Sequence, residues 1–228
     1  MVLSPDPVII GGTQQDNRRP VIRFITPKNG ATYSLHSRVP YSLSISDPED
    51  GESKYEEISR NQVLLKVQYV SGDALPSASG RTISEDPPGL VGILGSNCLN
   101  CHAFKSKLIG PSFHEISKKY QAGEPDMALM VSRIKNGSSG VWGPIVMPGH
   151  PELSDREIEE MLLWITKDAS LDLMDYYTGT EGSFMLKPAA ESDKKGAIVL
   201  TASYTDQGIE GQERLKGEDR ITIRLAKE

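Results

Sequence analysis

The stretch "GSNCLNCHAFKSKLIGPSF", residues 95–113, holds Cys98 and Cys101, the two cysteines of a 228-residue chain, and places His102 directly after the second. Two cysteines at this spacing are too few to staple a small secreted fold, so the pair reads as chemical rather than structural. The surrounding chain is ordinary for a globular protein, at 37% hydrophobic and 25% charged residues. A net charge of -6 and a pI near 5.3 leave no basic field suited to nucleic acid, and no such partner is expected. No apolar run is long enough to span a bilayer, so no transmembrane segment is expected. The opening "MVLSPDPVIIGG" has neither a basic start nor a long apolar core, and no signal peptide is visible. Either it has been removed or the chain is cut from a longer one.

Outward from this stretch the texture changes twice. Residues 1–20 show no period and read as a flexible lead-in. From Val21 the pattern is β: Tyr41, Leu43 and Ile45 alternate with Ser42 and Ser44, and Leu65, Val67 and Tyr69 alternate with Lys66 and Gln68. These runs give a first β part over 21–75, and the Gly, Ser and Pro-rich residues that follow give a linker over 76–85. The helical block is then expected over 86–180. Ser112 with Glu115, and Ser154 with Glu157, have the spacing of capping boxes. Met127, Met130, Val131 and Ile134 share one helical face that stops at Asn136-Gly137, and Ile158, Met161, Leu162 and Ile165 share another. Alternation returns in Ile198, Leu200, Ala202 and Tyr204 and in Ile221, Ile223 and Leu225, giving a second β part over 181–228.

C-x-x-C-H is the attachment signature of a c-type haem. Two thiols three apart, at the end of a helix, can each add to a vinyl group of one porphyrin, and the next residue is then held under the iron. This makes His102 the proximal ligand. Competing readings are weaker. A zinc site needs a fourth ligand, but Lys118, Lys119 and Tyr120 stand where the spacing would put it. A thioredoxin-like pair needs a βαβ context. A plain disulfide leaves His102 unexplained. The sixth ligand is expected on a loop that returns to the other haem face. Met147, in "GVWGPIVMPGHPE", has no helical period around it and is the choice, with His150 as its competitor.

The segments "CLNCHAFKSKLIGPSFHEISKKY", "RIKNGSSGVWGPIVMPGH" and "LSDREIEEMLLWI" resemble a class I monohaem cytochrome c of the bacterial c551/c552 type over residues 86–170. The resemblance implies one covalent haem c on Cys98 and Cys101 with His102 and Met147 as axial ligands. It also implies that the Pro111 carbonyl accepts from the His102 ring, and that Arg133 and Trp142 bond a haem propionate. Trp142 reads equally as a packing residue, and Arg133 as a solvated helix residue. With the segment "LTASYTDQG" after it, the whole resembles the C-terminal cytochrome portion of Bacteroidetes PQQ-dependent sugar dehydrogenases.

Neither β part has enough strands to close a sandwich alone, and together they reach the count of an immunoglobulin-like one. The expected fold is α+β and multidomain: an all-α class I cytochrome c domain inserted into an immunoglobulin-like β-sandwich. The acidic turn at 47–52 carries Asp47, Asp50 and Glu52, which read either as calcium ligands or as a solvated turn. The function read from all this is electron transfer, not enzymatic catalysis, as a module of or partner to a periplasmic or otherwise extracytoplasmic dehydrogenase. The redox partner would be a quinoprotein dehydrogenase domain or another cytochrome. Alternatives are a haem enzyme with an open sixth position, and a carbohydrate-binding or adhesion-type β-sandwich carrying an accessory cytochrome. Lys105, Lys107, Lys118 and Lys119 read as a basic rim beside the haem edge or as a solvated face.

Overall fold

The computed structural model describes residues 16–70, 85–121, 126–167, 174–187 and 196–226. The expected lead-in falls largely outside these residues, and so does almost all of the expected linker. Strands β1 (Val21–Thr26), β2 (Thr32–Tyr33), β3 (Arg38–Asp47), β4 (Gly51–Glu52) and β5 (Val63–Val70) come first. Helices α1 (Pro88–Gly95), α2 (Phe113–Gln121) and α3 (Met127–Asn136) follow. A small hairpin, β6 (Ser138–Gly140) with β7 (Gly143–Met147), then leads to helix α4 (Asp155–Lys167). Strands β8 (Met174–Thr178), β9 (Glu181–Met185), β10 (Ala197–Thr205) and β11 (Lys216–Leu225) close the chain.

The strands form two sheets that share one core. In the first, β3 is flanked by β1 on one side and by β9 and β4 on the other. The second runs β2-β11-β10-β5-β8. Its centre is the antiparallel pairing of β10 with β5, in register from Ala197↔Val70 to Tyr204↔Val63. A strand from the far end of the chain therefore fills the middle of a sheet begun near the start. β11 also meets β2 in parallel at Arg224↔Thr32. Period 2 puts Tyr41, Leu43 and Ile45 of β3 against Val63, Leu65, Val67, Ile198 and Leu200 between the sheets. Asn17, at the end of the expected lead-in, is tied to Asp206, Gln212 and Glu213.

One boundary differs from the sequence reading. Residues 174–178 fall in the range read as the helical block, yet β8 pairs with β5 from Gln68↔Met174 to Leu64↔Thr178. The reason is long-range: "MDYYT" is too short to show a period, and its partner lies over a hundred residues earlier. The acidic turn is occupied by its own hydrogen bonds. Asp47 Oδ1 accepts from the Glu49 and Asp50 amides, and Asp50 Oδ2 accepts from Tyr204 Oη at 2.6 Å and from the Gln207 amide. Among the described residues no group of three or more His, Cys, Asp or Glu side chains is gathered to hold a metal ion.

The helical block rests on β5 and β8. Alternation turns Leu64 of β5 away from the sandwich core and into a second core with Leu90, Ile93, Phe104, Phe113, Met161, Trp164 and Tyr176. Both capping boxes form: the Glu115 amide donates to Ser112 Oγ while Glu115 Oε2 accepts from the Ser112 amide, and Ser154 with Glu157 repeats the arrangement. Asp126 caps α3 through the Leu129 amide. At the entry to the block, Asp86 meets Lys66 of β5 at 2.8 Å and Lys216 of β11 at 2.6 Å. No helix among the described residues is long and apolar enough to cross a membrane.

Candidate functional site

Helix α1 stops at Gly95, where Ser96 leaves helical geometry and its amide bonds the Ile93 carbonyl. The two cysteines therefore lie just beyond the helix end, on a short 3₁₀ turn over Cys98–Asn100. The amides of Cys101 and His102 both donate to the Cys98 carbonyl, which fixes how the three side chains of the motif project. The return loop is stitched to this turn: the Ile109 and Gly110 amides donate to the Cys101 carbonyl, and the Phe113 amide donates to Ala103.

His102 is buried, and its Nδ1 lies 2.6 Å from the Pro111 carbonyl oxygen. A carbonyl only accepts, so Nδ1 carries the proton and Nε2 keeps its lone pair. Phe113 stacks on the ring at 5.6 Å between centroids. Gly110 also lies against the ring: a Cβ there would lie 2.6 Å from His102 Cε1. The ring is thus held by a hydrogen bond, an aromatic face and a glycine that makes room for it. Both thiols are free, and burial pushes the Cys98 thiol pKa up.

The hairpin that carries Met147 lines the same cleft. The sequence reads this segment as a loop; it is a two-stranded turn in which Met147 pairs with Ser138. Gly137 joins α3 to the hairpin at φ +83°, where a Cβ would meet the Met147 carbonyl oxygen at 2.8 Å. Only glycine allows that approach, so the end of α3 sets the position of Met147.

One cleft is lined by Cys98, Cys101, His102, Pro111, Arg133, Trp142 and Met147, with Ile93, Ile116 and Leu162 among its apolar walls. The seven candidate residues named from the sequence thus meet in one place. Arg133 reaches Tyr120 Oη at 3.5 Å. Trp142 is 40% exposed, and Lys119 Nζ lies 4.3 Å from its ring centroid. His150, the competitor to Met147, does not line the cleft; its Nδ1 faces Glu152 at 3.1 Å. The basic rim is only partly assembled. Lys107 lines the cleft and Lys118 is exposed, but Lys105 pairs with the buried Asp175 carboxylate of β8.

These residues suit a covalently bound haem. The cleft presents two free thiols, an imidazole nitrogen with its lone pair available, a thioether and an apolar lining, and Gly110 keeps the histidine ring uncrowded. The sequence did not single out Gly110, Phe104 or Phe113. The position of Gly110 before Pro111 was the one available signal, since a Gly-Pro pair marks a close turn.

Over 82 residues the chain is 39% identical to cytochrome c-551 of Pseudomonas aeruginosa, covering 36% of this chain and 76% of that protein. Over 70 residues it is 37% identical to cytochrome c-552 of Nitrosomonas europaea, covering 31% of this chain and 68% of that one. The crystal structure of wild-type Nitrosomonas europaea cytochrome c552 aligns with a TM-score of 0.33 at 33% identity, over 34% of this chain and 96% of its own. No protein-family profile matches the chain. Through its helical block the chain belongs to the class I cytochromes c of the bacterial c551/c552 type. Its cofactor is one covalently bound haem c.

Proposed function

We propose that this chain is an electron-transfer module in which Cys98 and Cys101 hold the haem by thioether bonds and His102 and Met147 are its axial ligands. The observation that carries this is the convergence of the four side chains on one cleft, with His102 Nδ1 already bonded to Pro111. When bound, the haem supplies one-electron chemistry between Fe(II) and Fe(III). The protein's part is to hold and shield. The Pro111 carbonyl fixes the tautomer that leaves Nε2 free for iron and strengthens it as a donor. Met147 offers a soft ligand that favours the reduced state. Arg133 and Trp142, which line the cleft, would bond a propionate, and the apolar walls would keep water from the metal. A haem held by both His102 and Met147 would have no open position, which suits electron transfer rather than a reaction that needs one.

The two sheets form an immunoglobulin-like sandwich that carries the cytochrome as an insertion, its second part beginning at β8. The pairing of β10 with β5 supports this reading. The sequence resemblance to the cytochrome portion of PQQ-dependent sugar dehydrogenases supports a quinoprotein dehydrogenase domain, or another cytochrome, as redox partner in an extracytoplasmic compartment. Intact mass after expression with a haem-maturation system tests the attachment. One added haem is expected, lost in part in Cys98→Ala and fully in the double cysteine variant. A mass equal to the bare polypeptide refutes it.

A further inference from the structure

The sandwich meets the haem block through β8 as well as through Leu64, Asn61 and the Lys66–Asp86 pair. The cytochrome relatives match about a third of this chain, and β8 belongs to the sheet. Asp175 of β8 is fully buried and pairs with Lys105, three residues after His102. Lys187 adds a second, more distant cation at 3.6 Å, and Tyr177 Oη lies 3.4 Å from Asp175 Oδ2. Tyr176, the next residue, packs on Phe104 at 5.4 Å between ring centroids. Phe104 in turn meets Phe113 at 5.7 Å, and Phe113 stacks on His102. Trp164 closes the same group edge-on to Phe104, Phe113 and Tyr176. Asn61, just before β5, adds a hydrogen bond to Asn100 inside the attachment motif.

We infer that β8 supports the haem site from behind its lining residues, and that Asp175 is a positioning residue acting on the axial histidine through Lys105, with Tyr176 acting beside it through Phe104. The inference rests on the ligand assignment proposed above. Its physical content is twofold. A buried carboxylate needs a paired cation, so Asp175 holds Lys105, and with it the segment 102–105, against the sheet. A charge pair in a poorly polarisable surrounding also acts on the charge of the nearby metal. The pair is close to neutral as it stands. Removing either member changes the net charge of this cluster, which also holds Lys187, by one unit of known sign at the segment that follows His102.

The test uses the full holoprotein and reads the midpoint potential by spectroelectrochemistry, with stability followed in parallel by denaturant unfolding. Asp175→Asn removes a negative charge and favours Fe(II), so the potential rises. Lys105→Gln removes a positive charge and favours Fe(III), so the potential falls. The double variant returns toward the parent. Each single shift is expected to reach at least about a threefold change in the oxidised-to-reduced ratio at fixed applied potential, about 28 mV for one electron at 59 mV per tenfold. A purely structural contact predicts loss of stability in both variants with the potential unmoved, and that result overturns the inference. Should Asp175→Asn fail to fold, Lys105→Gln decides alone, because Lys105 is the more exposed partner at 31% against 1%: a fall supports the inference and no shift refutes it. Absence of the His/Met spectrum in the parent protein refutes the ligand assignment instead, and is read separately.

Discussion

His102 Nδ1 stands 2.6 Å from the carbonyl oxygen of Pro111, and the residue before that proline leaves no room for a side chain beside the same ring. Hydrogen bond and glycine act together: one sets the tautomer, the other leaves room for the ring beside the loop. Gly110→Ala would put a methyl 2.6 Å from His102 Cε1, so ring or loop must shift. Overpacking of this kind costs about 1–3 kcal/mol. Denaturant unfolding of the holoprotein should show that loss, with a lower yield of attached haem. An unchanged unfolding midpoint would mean that the loop yields without strain.

The entry to the helical block is pinned by Asp86 between Lys66 and Lys216. Burial pushes the Asp86 carboxyl up, but its bonds to Lys216 and Lys66 outweigh that, and its pKa is lowered. A lowered folded-state pKa stabilises above the ordinary carboxylate value, about 3.9. That contribution fades as pH falls through the lower folded value. Asp86→Asn removes the carboxylate that two largely buried ammonium groups share, Lys216 keeping Glu218 at 3.6 Å, and should cost about 1–3 kcal/mol at neutral pH. The gap between variant and parent should narrow below about pH 4. Urea titrations from pH 7 to pH 2 measure both; a gap that stays constant would remove Asp86 from the account.

The haem site was more legible in sequence than the sandwich that supports it. Cys98, Cys101 and His102 are adjacent in the chain, and the capping boxes at Ser112 and Ser154 are local signals, so their geometry follows from short-range rules. Strand β8 follows no such rule. Asp175 and Tyr176 gain their meaning from β5 and from Lys105 and Phe104, contacts about seventy residues or more away in the chain. Lys105 shows the same limit: its charge suggested a surface rim, and only the folded chain shows the buried carboxylate that takes it. The hairpin bearing Met147 was hidden by its length, since three and five residues carry no readable period.

The sandwich is discontinuous in sequence, and this has a consequence for fragments. β5 lies between β10 and β8, and Leu65 and Val67 are fully buried between the two sheets. A fragment of residues 21–70 loses both neighbours and should show no cooperative unfolding by circular dichroism. Leu200→Ala in the full chain should cost about 2–5 kcal/mol, since Leu200 is fully buried between the sheets. A fragment 21–70 that folds alone would contradict the two-part sandwich.

Lys107 lines the cleft, Lys119 lies over the cleft residue Trp142, and Lys118 is exposed beside Lys119 in the chain. Charges of this kind speed encounter with an acidic partner more than they add affinity. Changing all three to Glu should slow electron exchange with an acidic redox partner at low salt and flatten its dependence on ionic strength. Stopped-flow reduction at several salt concentrations reads this; equal rates at low salt would leave the lysines as plain surface.

A covalent haem held by His102 and Met147 can be read in the visible and near-infrared spectrum of the holoprotein, oxidised and reduced, beside that of Met147→Ala. The account predicts a low-spin, six-coordinate c-type spectrum whose haem stays with the polypeptide through acid extraction. The oxidised form should show the weak near-infrared sulfur-to-iron band, and Met147→Ala should abolish it. A five-coordinate spectrum in the parent, or a band that survives the Met147 substitution, would contradict the assignment.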